Sequence, residues 1–525
     1  MGIIAGIELG MNYSSLAVLN EQGKPEIVPD FSGNRVIPSV VAFNGGNSVT
    51  VGLDAKNKLS TDPTDVVQCV LRKMGDPSHR YLVGGAEYSP VQILAFILKK
   101  LKDDCVQNGA IKDVVITVPA HFAEIERKSV MDAGEIAGLN VLGLVNEPTA
   151  AAVYYASQTS ISGNVVVYDL GASAFDVSIL RMKHGQVETL ASKGNGHLGG
   201  VDFDKLLARR VANDAKRDWG VELFPDHFFE TFPRENSAES RTYFEVMQKA
   251  EIAKKAISTR GKGTIRGRAE CGDFATTILA SDFEEMISFH LMTTEMLLEN
   301  ALEDAGLSAS DIDKVLLVGG STRIPKVSQM LESFFGFAPE KSINPSEAVV
   351  LGAAIIAGKR KLNSTGLSAA LRSEVNQTLI LECANKFFGI LTLGLNEARG
   401  EMMMQNEILI RRGSLLPCSA RRLHQTTIDD QRQIIIEVTE SEEETHDPEH
   451  VHKIGSWILK LPPNCPKGAP FHVNYGYDID QRLTISVEMP GGGRIEAELS
   501  YNDDGDLGRS KMQREVAKLD DFLVE

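Results

Sequence analysis

The sequence predicts an α/β protein in two parts: a large two-lobed domain over residues 1–358, then a small all-β sandwich over 375–505. Three observations carry this. Up to about Gly358, short apolar runs alternate with helical periods, as strands and helices of an α/β fold should. Within that stretch, residues 7–19 and 168–180 repeat one pattern: apolar strand, acid (Glu8, Asp169), leucine, glycine (Gly10, Gly171), short turn, second strand. From Val375 to about Tyr501 the runs shorten, and Gly, Pro and Asp turns split them.

Residues 315–327 carry the densest local signal. Val315 to Val318 make a buried strand, Gly319 and Gly320 a turn, and Ser321-Thr322-Arg323 open a helix with Pro325 in its first turn. Glycines let backbone N–H groups approach a ligand closely, and a helix N-terminus favours negative charge, so the segment forms an anion and nucleotide seat. The two hairpins suggest two related lobes that offer their turns to one ligand. Turn amides can hold phosphate oxygens while an acid holds hydrated magnesium.

The other elements follow from periodicity. Residues 91–103 and 283–305 predict amphipathic helices, the second closed by Gly306. Residues 244–258 predict a helix with Glu251, Lys254 and Ser258 on one face. Residues 359–374 lose the apolar period and read as a linker. Gln433–Val438 and Leu483–Val487 are typical sandwich strands, and 506–525 predict one short helix. The run Glu440 to His452 carries six acids and three histidines, which reads as a solvated hairpin loop, with metal ligation the alternative.

Composition narrows function. The chain has 525 residues, enough for several cored domains, and 43% apolar with 24% charged residues describes an ordinary globular protein. A net charge of −17 argues against a nucleic-acid surface, which needs Lys and Arg to neutralise phosphates. Six scattered cysteines with no CxxC pair read as reduced thiols. The N-terminal apolar run stops at Glu8 without a basic flank, so no signal peptide is expected, and the run Ala348 to Gly358 is too short to span a bilayer. The expectation is a cytoplasmic protein with no nucleic-acid or membrane partner.

Further motifs stand at Ile116-Thr117-Val118-Pro119-Ala120, Asn146-Glu147-Pro148-Thr149-Ala150-Ala151-Ala152, His197-Leu198-Gly199-Gly200-Val201-Asp202-Phe203-Asp204 and Ser342-Ile343-Asn344-Pro345. With the segment around Gly319, these resemble the seventy-kilodalton heat-shock protein (DnaK-type) chaperones, within the actin and hexokinase fold superfamily. The similarity is strong over 3–357 and weak from 375 to about 500. It implies an actin/hexokinase-like ATPase domain, ATP or ADP with Mg²⁺ as cofactors, and unfolded or extended peptides or a partner co-chaperone as partners. Family members with the full architecture continue into a helical lid, and this sequence is expected to lack one.

Carried over residue by residue, the resemblance gives Glu147, Asp169 and Asp176 as catalytic acids, with Glu8 and Asp169 near the metal. Glu251, Lys254 and Ser258 fall on the adenosine contacts, and Lys255 and Arg323 would sandwich the purine. Gly10, Asn12, Tyr13, Gly171, Ala172, Ser173, Gly199, Gly200, Gly319, Gly320 and Ser321 complete the nucleotide cradle. The purine half matches well and the phosphate half departs. Met11 and Asn12 replace two threonines, and Ala172, Ser173 and Ala174 replace a glycine–threonine run. The catalytic lysine falls on Leu71, which offers neither charge nor donor, while Arg72 or Lys73 could substitute only if the backbone shifted by one. Losing one such donor costs on the order of 10²–10³ in rate. Pro119 and Arg127 sit where the family relays nucleotide state to its linker, but the linker stretch Ala369 to Glu374 offers little apolar surface to dock. The peptide groove falls on Asn406, His424 and Ile434, with Met402-Met403-Met404 beside it as either an adaptable apolar surface or a buried strand. The resulting expectation is an ATP-binding chaperone or co-chaperone that acts as a nucleotide-gated interaction protein with very slow hydrolysis. The alternatives are an active ATPase cycling on client peptides and a kinase of the same superfamily.

Overall fold

A computed structural model describes residues 3–104, 111–159, 162–183, 186–269, 272–362, 379–396, 401–461, 463–479, 481–488, 494–498 and 509–525. Both expected hairpins form, and each sits at the same place in its own sheet. In the first lobe Ile3–Leu9 turns antiparallel into Tyr13–Leu19, while Ile111–Val118 and then Asn140–Asn146 add in parallel on the other side. In the second lobe Gly163–Leu170 turns into Phe175–Lys183, Lys314–Val318 adds in parallel, and Gln186–Asn195 continues the meander. Strands paired on both edges and covered on both faces read as continuous apolar runs, and Val165, Val166, Val167 and Tyr168 are all fully buried.

Two helices pack between the lobes, Glu147–Gln158 and Ala348–Leu362. Their contact is backbone to backbone: a Cβ at Gly352 would stand 1.8 Å from the Ala150 carbonyl oxygen. The apolar run at Ala348 is thus a buried core helix, and among the described residues no helix is long and apolar enough to cross a membrane. The helices expected around 91–103, 244–258 and 283–305 are Pro90–Asp104, Ala238–Arg260 and Ala280–Asp304. Ser321 to Arg323 do not open an α-helix. They form a 3₁₀ turn, Gly320–Arg323, and the helix starts at Pro325, whose missing N–H makes it a first-turn residue.

The sandwich consists of two four-stranded antiparallel sheets. One pairs Glu401–Ile410, Phe387–Asn396, Gln433–Ser441 and His452–Lys460; the other pairs Cys418–Gln425, Pro470–Tyr477, Leu483–Glu488 and Arg494–Glu498. Phe388, Ile436, Tyr475 and Tyr477 fill the space between them. Cys69, Cys383, Cys418 and Cys465 are free.

Two segments that flank the sandwich in sequence pack on the two-lobed domain. The apolar strand Leu379–Leu381 adds in parallel to Gln186–Asn195, extending the second-lobe sheet. Directly after it, Glu382 is buried and accepts from Asn146 Nδ2 at 3.2 Å and Thr189 Oγ1 at 3.1 Å. The expectation of weak linker docking fell on an earlier segment. Ala369 to Glu374 lie outside the described residues, and the docking strand comes a few residues later. At the other end, the helix Arg509–Asp520 packs on the first lobe, but residues 506–525 are not one helix. Leu523–Val524 leave it and pair in parallel with the edge strand Ser48–Val51, while the Phe522 ring meets Phe96 and Tyr88.

Candidate functional site

The two hairpin turns face one another across the cleft between the lobes. With the glycine turn at 319–320 they line a cavity of about 570 Å³, a volume suited to a nucleotide-sized ligand. The turns are held in shape by backbone. Gly171 N–H donates to the Ala174 carbonyl at 3.0 Å, and Gly200 and Val201 N–H groups donate to Gly171 and Ala172 carbonyls at 3.1 and 2.6 Å. Only glycine fits at 199, where a Cβ would stand 2.5 Å from the Ser173 nitrogen. Gly319 adopts φ +81°, a left-handed conformation, with the Leu170 carbonyl too close for any side chain.

Of the residues expected at the site, Glu8, Gly10, Asn12, Tyr13, Glu147, Asp169, Gly171, Ala172, Ser173 and Asp176 line this cavity. So do Glu251, Lys254, Lys255, Ser258, Gly319, Gly320, Ser321 and Arg323. Gly199 and Gly200 do not; they stand behind the second hairpin and brace it. Lys254 lines the wall with its ammonium already occupied, donating to the Gly200 carbonyl at 2.7 Å and to Asp204 at 2.9 Å. Sequence reasoning missed Asp204, although it stands inside a quoted motif. Burial pushes its carboxyl up, and Lys254 only partly offsets this, leaving it at about 6.

At one end the cavity is a mixed-charge cleft bridge. Glu251, from the second lobe, takes Lys56 of the first lobe at 2.7 Å, the Tyr13 hydroxyl at 2.9 Å and Lys255 at 2.7 Å. Burial alone would raise the Glu251 carboxyl, but the two ammonium groups hold it at about 2. Lys56 was not anticipated, since a lysine on a short surface helix carries no local signal. Arg323 completes this rim and donates to Asn344 at 2.6 Å.

The other end is acidic. Glu8, Glu147, Asp169 and Asp176 converge there. Burial raises Glu8 to about 7, with the Ser15 hydroxyl at 3.1 Å opposing only in part. Burial, and then repulsion from the neighbouring acids, raises Glu147 and Asp169 well above the carboxylate range. Leu71 faces the cavity and is 3% exposed; Met11 crowds the same wall. Arg72 does not take the lysine's place. Its guanidinium turns away to the Ser173 carbonyl at 2.8 Å and to Asp202 at 3.2 Å, bridging the lobes behind the second hairpin.

Glu8 and Asp169, buried carboxylates with no lysine or arginine bridge among the described residues, suit a divalent metal and are the residues that would face it. Among the described residues no three His, Cys, Asp or Glu side chains stand close enough to ligate one ion directly. Such a site fits magnesium, which keeps most of its waters and takes few carboxylates.

The relay positions connect to the sandwich. Arg127 is buried, donating to the Phe122 carbonyl at 3.1 Å and to Asn146 Oδ1 at 2.6 Å; Asn146 in turn holds Glu382. The expected peptide groove is not formed by the residues first assigned to it. Asn406 is 1% exposed, accepting from Thr439 and donating to the Thr445 carbonyl beneath the 441–450 loop, and Ile434 lies in the sandwich core. His424 stacks on Phe471. The methionine run, by contrast, lies open. Met402 is 60% and Met404 41% exposed, with Leu393 directly across from Met404 at 53%. In the acidic loop, His446 meets the Asn406 carbonyl and His450 pairs with Asp447.

Comparison with known proteins agrees with this architecture. The Hsp70 protein family model matches residues 4–83 and 76–522. The chaperone protein DnaK of Thermotoga petrophila is 35% identical over 502 residues, 94% of this chain and 79% of the relative. DnaK of Thermotoga neapolitana is 34% identical over 523 residues, 98% of this chain and 82% of the relative. A family model and relatives that each span nearly the whole chain show the same thing: the chain belongs to the Hsp70 protein family.

Proposed function

We propose that the protein is an ATP-binding chaperone or co-chaperone in protein folding, working as a nucleotide-gated interaction protein whose hydrolysis is very slow. The observation that carries this is Leu71 on the wall of the acidic end. Phosphoryl transfer depends on positioning and on fixed charge at the transferring group. Here four acids meet there, and the cavity's cations, Lys254, Lys255 and Arg323, belong to the rim and the Asp204 pair. Lys255 and Arg323 would flank the base, Glu251 and Ser258 would contact the sugar, and the turn segments Ala172-Ser173 and Gly320-Ser321 would hold phosphate. Magnesium would supply the charge that Leu71 does not, held through water by Glu8 and Asp169. Glu147, at the N-terminus of its helix, would orient the attacking water.

The docked strand Leu379–Leu381 and the Arg127–Asn146–Glu382 chain support gating, because they join the sandwich to a residue beside Glu147. The partner would be an extended apolar peptide or a co-chaperone meeting the Leu393, Met402 and Met404 surface, since methionine adapts to varied partners. We place the protein in the cytoplasm. A second reading, an active ATPase cycling on clients, is favoured by the presence of Glu147, Asp169 and Asp176 together. ATP affinity by calorimetry and single-turnover hydrolysis on one preparation separate the two. Tight ATP binding with hydrolysis far slower than in a cycling DnaK supports the first reading, and matching rates support the second.

A further inference from the structure

We propose that His121 is a positioning residue for Asp176, and that the β-sandwich holds it in place through Asn385. His121 stands on the loop between the strand Ile111–Val118 and the helix Glu124–Ile136, two residues beyond the cavity-lining Pro119. It is not itself a wall of the cavity. Its Nδ1 lies 3.0 and 3.2 Å from the two oxygens of Asp176, so one imidazole nitrogen grips both and fixes the plane of the carboxylate. Asp176 is 2% exposed, and in that setting a charge-assisted hydrogen bond is strong and its loss costly.

The surroundings are shaped for this ring. Gly194 and Gly196 form a slot beside it. A Cβ at 194 would stand 2.5 Å from Asp176 Oδ1 and 3.0 Å from His121 Nδ1, and one at 196 would stand 3.0 Å from His121 Nε2. Phe122 meets the ring edge-on at 5.6 Å between centroids and is anchored in the first-lobe core. The strand that carries Asp176 and the strand that carries Gly194 both belong to the second lobe, whereas His121 comes from the first. The pair therefore spans the lobes behind the acidic end of the cavity.

The sandwich contributes the last support. Asn385 Nδ2 donates to the carbonyl of Ala120 at 3.0 Å and to that of Phe122 at 3.1 Å, bracketing His121 from both sides. One amide thus sets the backbone on which the imidazole is mounted. When the sandwich leaves, the bracket goes with it and the carboxylate loses its fixed plane. The consequence for hydrolysis rests on the nucleotide reading given above. The positioning itself is a property of the folded chain and is testable without nucleotide.

The test uses the full chain. Imidazole ¹⁵N spectra, with the His121 signal assigned by its loss in His121→Asn, are compared among wild type, Asp176→Asn and Asn385→Ala, each without nucleotide and with Mg·ATP. His121 should show a hydrogen-bonded Nδ1–H in wild type that shifts in Asp176→Asn and also shifts or broadens in Asn385→Ala. Hydrolysis gives a second readout: His121→Ala should slow single turnover by about tenfold with ATP affinity held within about twofold, and His121→Asn, whose amide can reach the same carboxylate, should recover most of the rate. A His121 signal unmoved by Asn385→Ala overturns the role of the sandwich, and one unmoved by Asp176→Asn overturns the pair. If wild type binds no ATP, the nucleotide reading fails while the spectra still decide the positioning.

Discussion

Leu71→Lys puts an ammonium at the acidic end, where Glu8, Glu147 and Asp169 have no lysine or arginine bridge among the described residues, and its effect follows from the local arrangement. Leu71 sits in the short 3₁₀ turn Val70–Lys73, buried against the first-lobe core and facing Glu8, Glu147, Asp169 and Asp176 across the cavity. An ammonium placed there would not be an isolated buried charge, because burial and mutual repulsion already hold Glu147 and Asp169 high and a neighbouring cation relieves both. One preorganised donor at developing charge is worth on the order of 10²–10³ in rate, roughly 3–4 kcal/mol of barrier. Against this, exchanging the branched end of leucine for a methylene stem removes about 1–2 kcal/mol of apolar burial. That loss should lower Tm by a few degrees without unfolding the lobe. The assay is single-turnover hydrolysis of Mg·ATP with enzyme in excess, with calorimetric ATP affinity measured on both proteins. The expected result is a rise of about 100-fold in the variant with affinity changed less than about tenfold. Equal rates in two proteins that both bind ATP would refute the assignment of Leu71 as the missing catalytic charge.

Three other outcomes follow from the geometry. Glu251→Ala should weaken ATP and ADP alike by calorimetry, and Lys56→Ala, which removes the 2.7 Å bridge across the cleft, should speed ADP release in stopped-flow displacement by about three- to tenfold, the scale of a partly buried ion pair. Glu8 is raised from near 4.5 to about 7 in the folded protein, so its contribution to stability is full below about 4.5 and disappears as pH rises through 7; it amounts to at most about 3 kcal/mol, and Glu8→Gln should flatten that part of a thermal-unfolding pH profile. Phe522→Ala should remove about 1–3 kcal/mol of packing against Phe96 and Tyr88, read as faster hydrogen exchange at the Val51 amide, which the Glu525 carbonyl otherwise protects.

What could be read in the sequence was what the chain decides locally. A strand, an acid, a glycine and a return strand fold into a hairpin wherever they occur, so both turns and the carboxylates beside them were visible before any tertiary contact. The turn at Gly319 was visible for the same reason, because only glycine tolerates that backbone at that distance from Leu170. Leu71 was legible as an apolar residue at the lysine position; Arg72 or Lys73 could return a charge only through a one-residue shift, and Arg72 points away.

What could not be read was set by partners far along the chain. Lys56 meets Glu251 across 195 residues and Asn146 meets Glu382 across 236, and neither lysine nor asparagine carries a local sign of its partner. Asn406 shows the same limit from the other side. A polar residue in a groove position reads as a polar groove, yet it is buried because Thr439 and the 441–450 loop satisfy its amide, and the apolar surface lies two residues earlier at Met404. The segment at 523–524 is the clearest case. Two residues are too few to show a strand period, and their pairing exists only because the preceding helix delivers them to the open edge at Ser48–Val51. The sandwich itself is set by distant partners in the same way: Asn385 reaches the Ala120 and Phe122 carbonyls of the first lobe, and Leu379–Leu381 extend the sheet of the second. A relative movement of the lobes must therefore shift the sandwich or release an anchor, and this constraint arises from the pairing of the elements, not from any one of them.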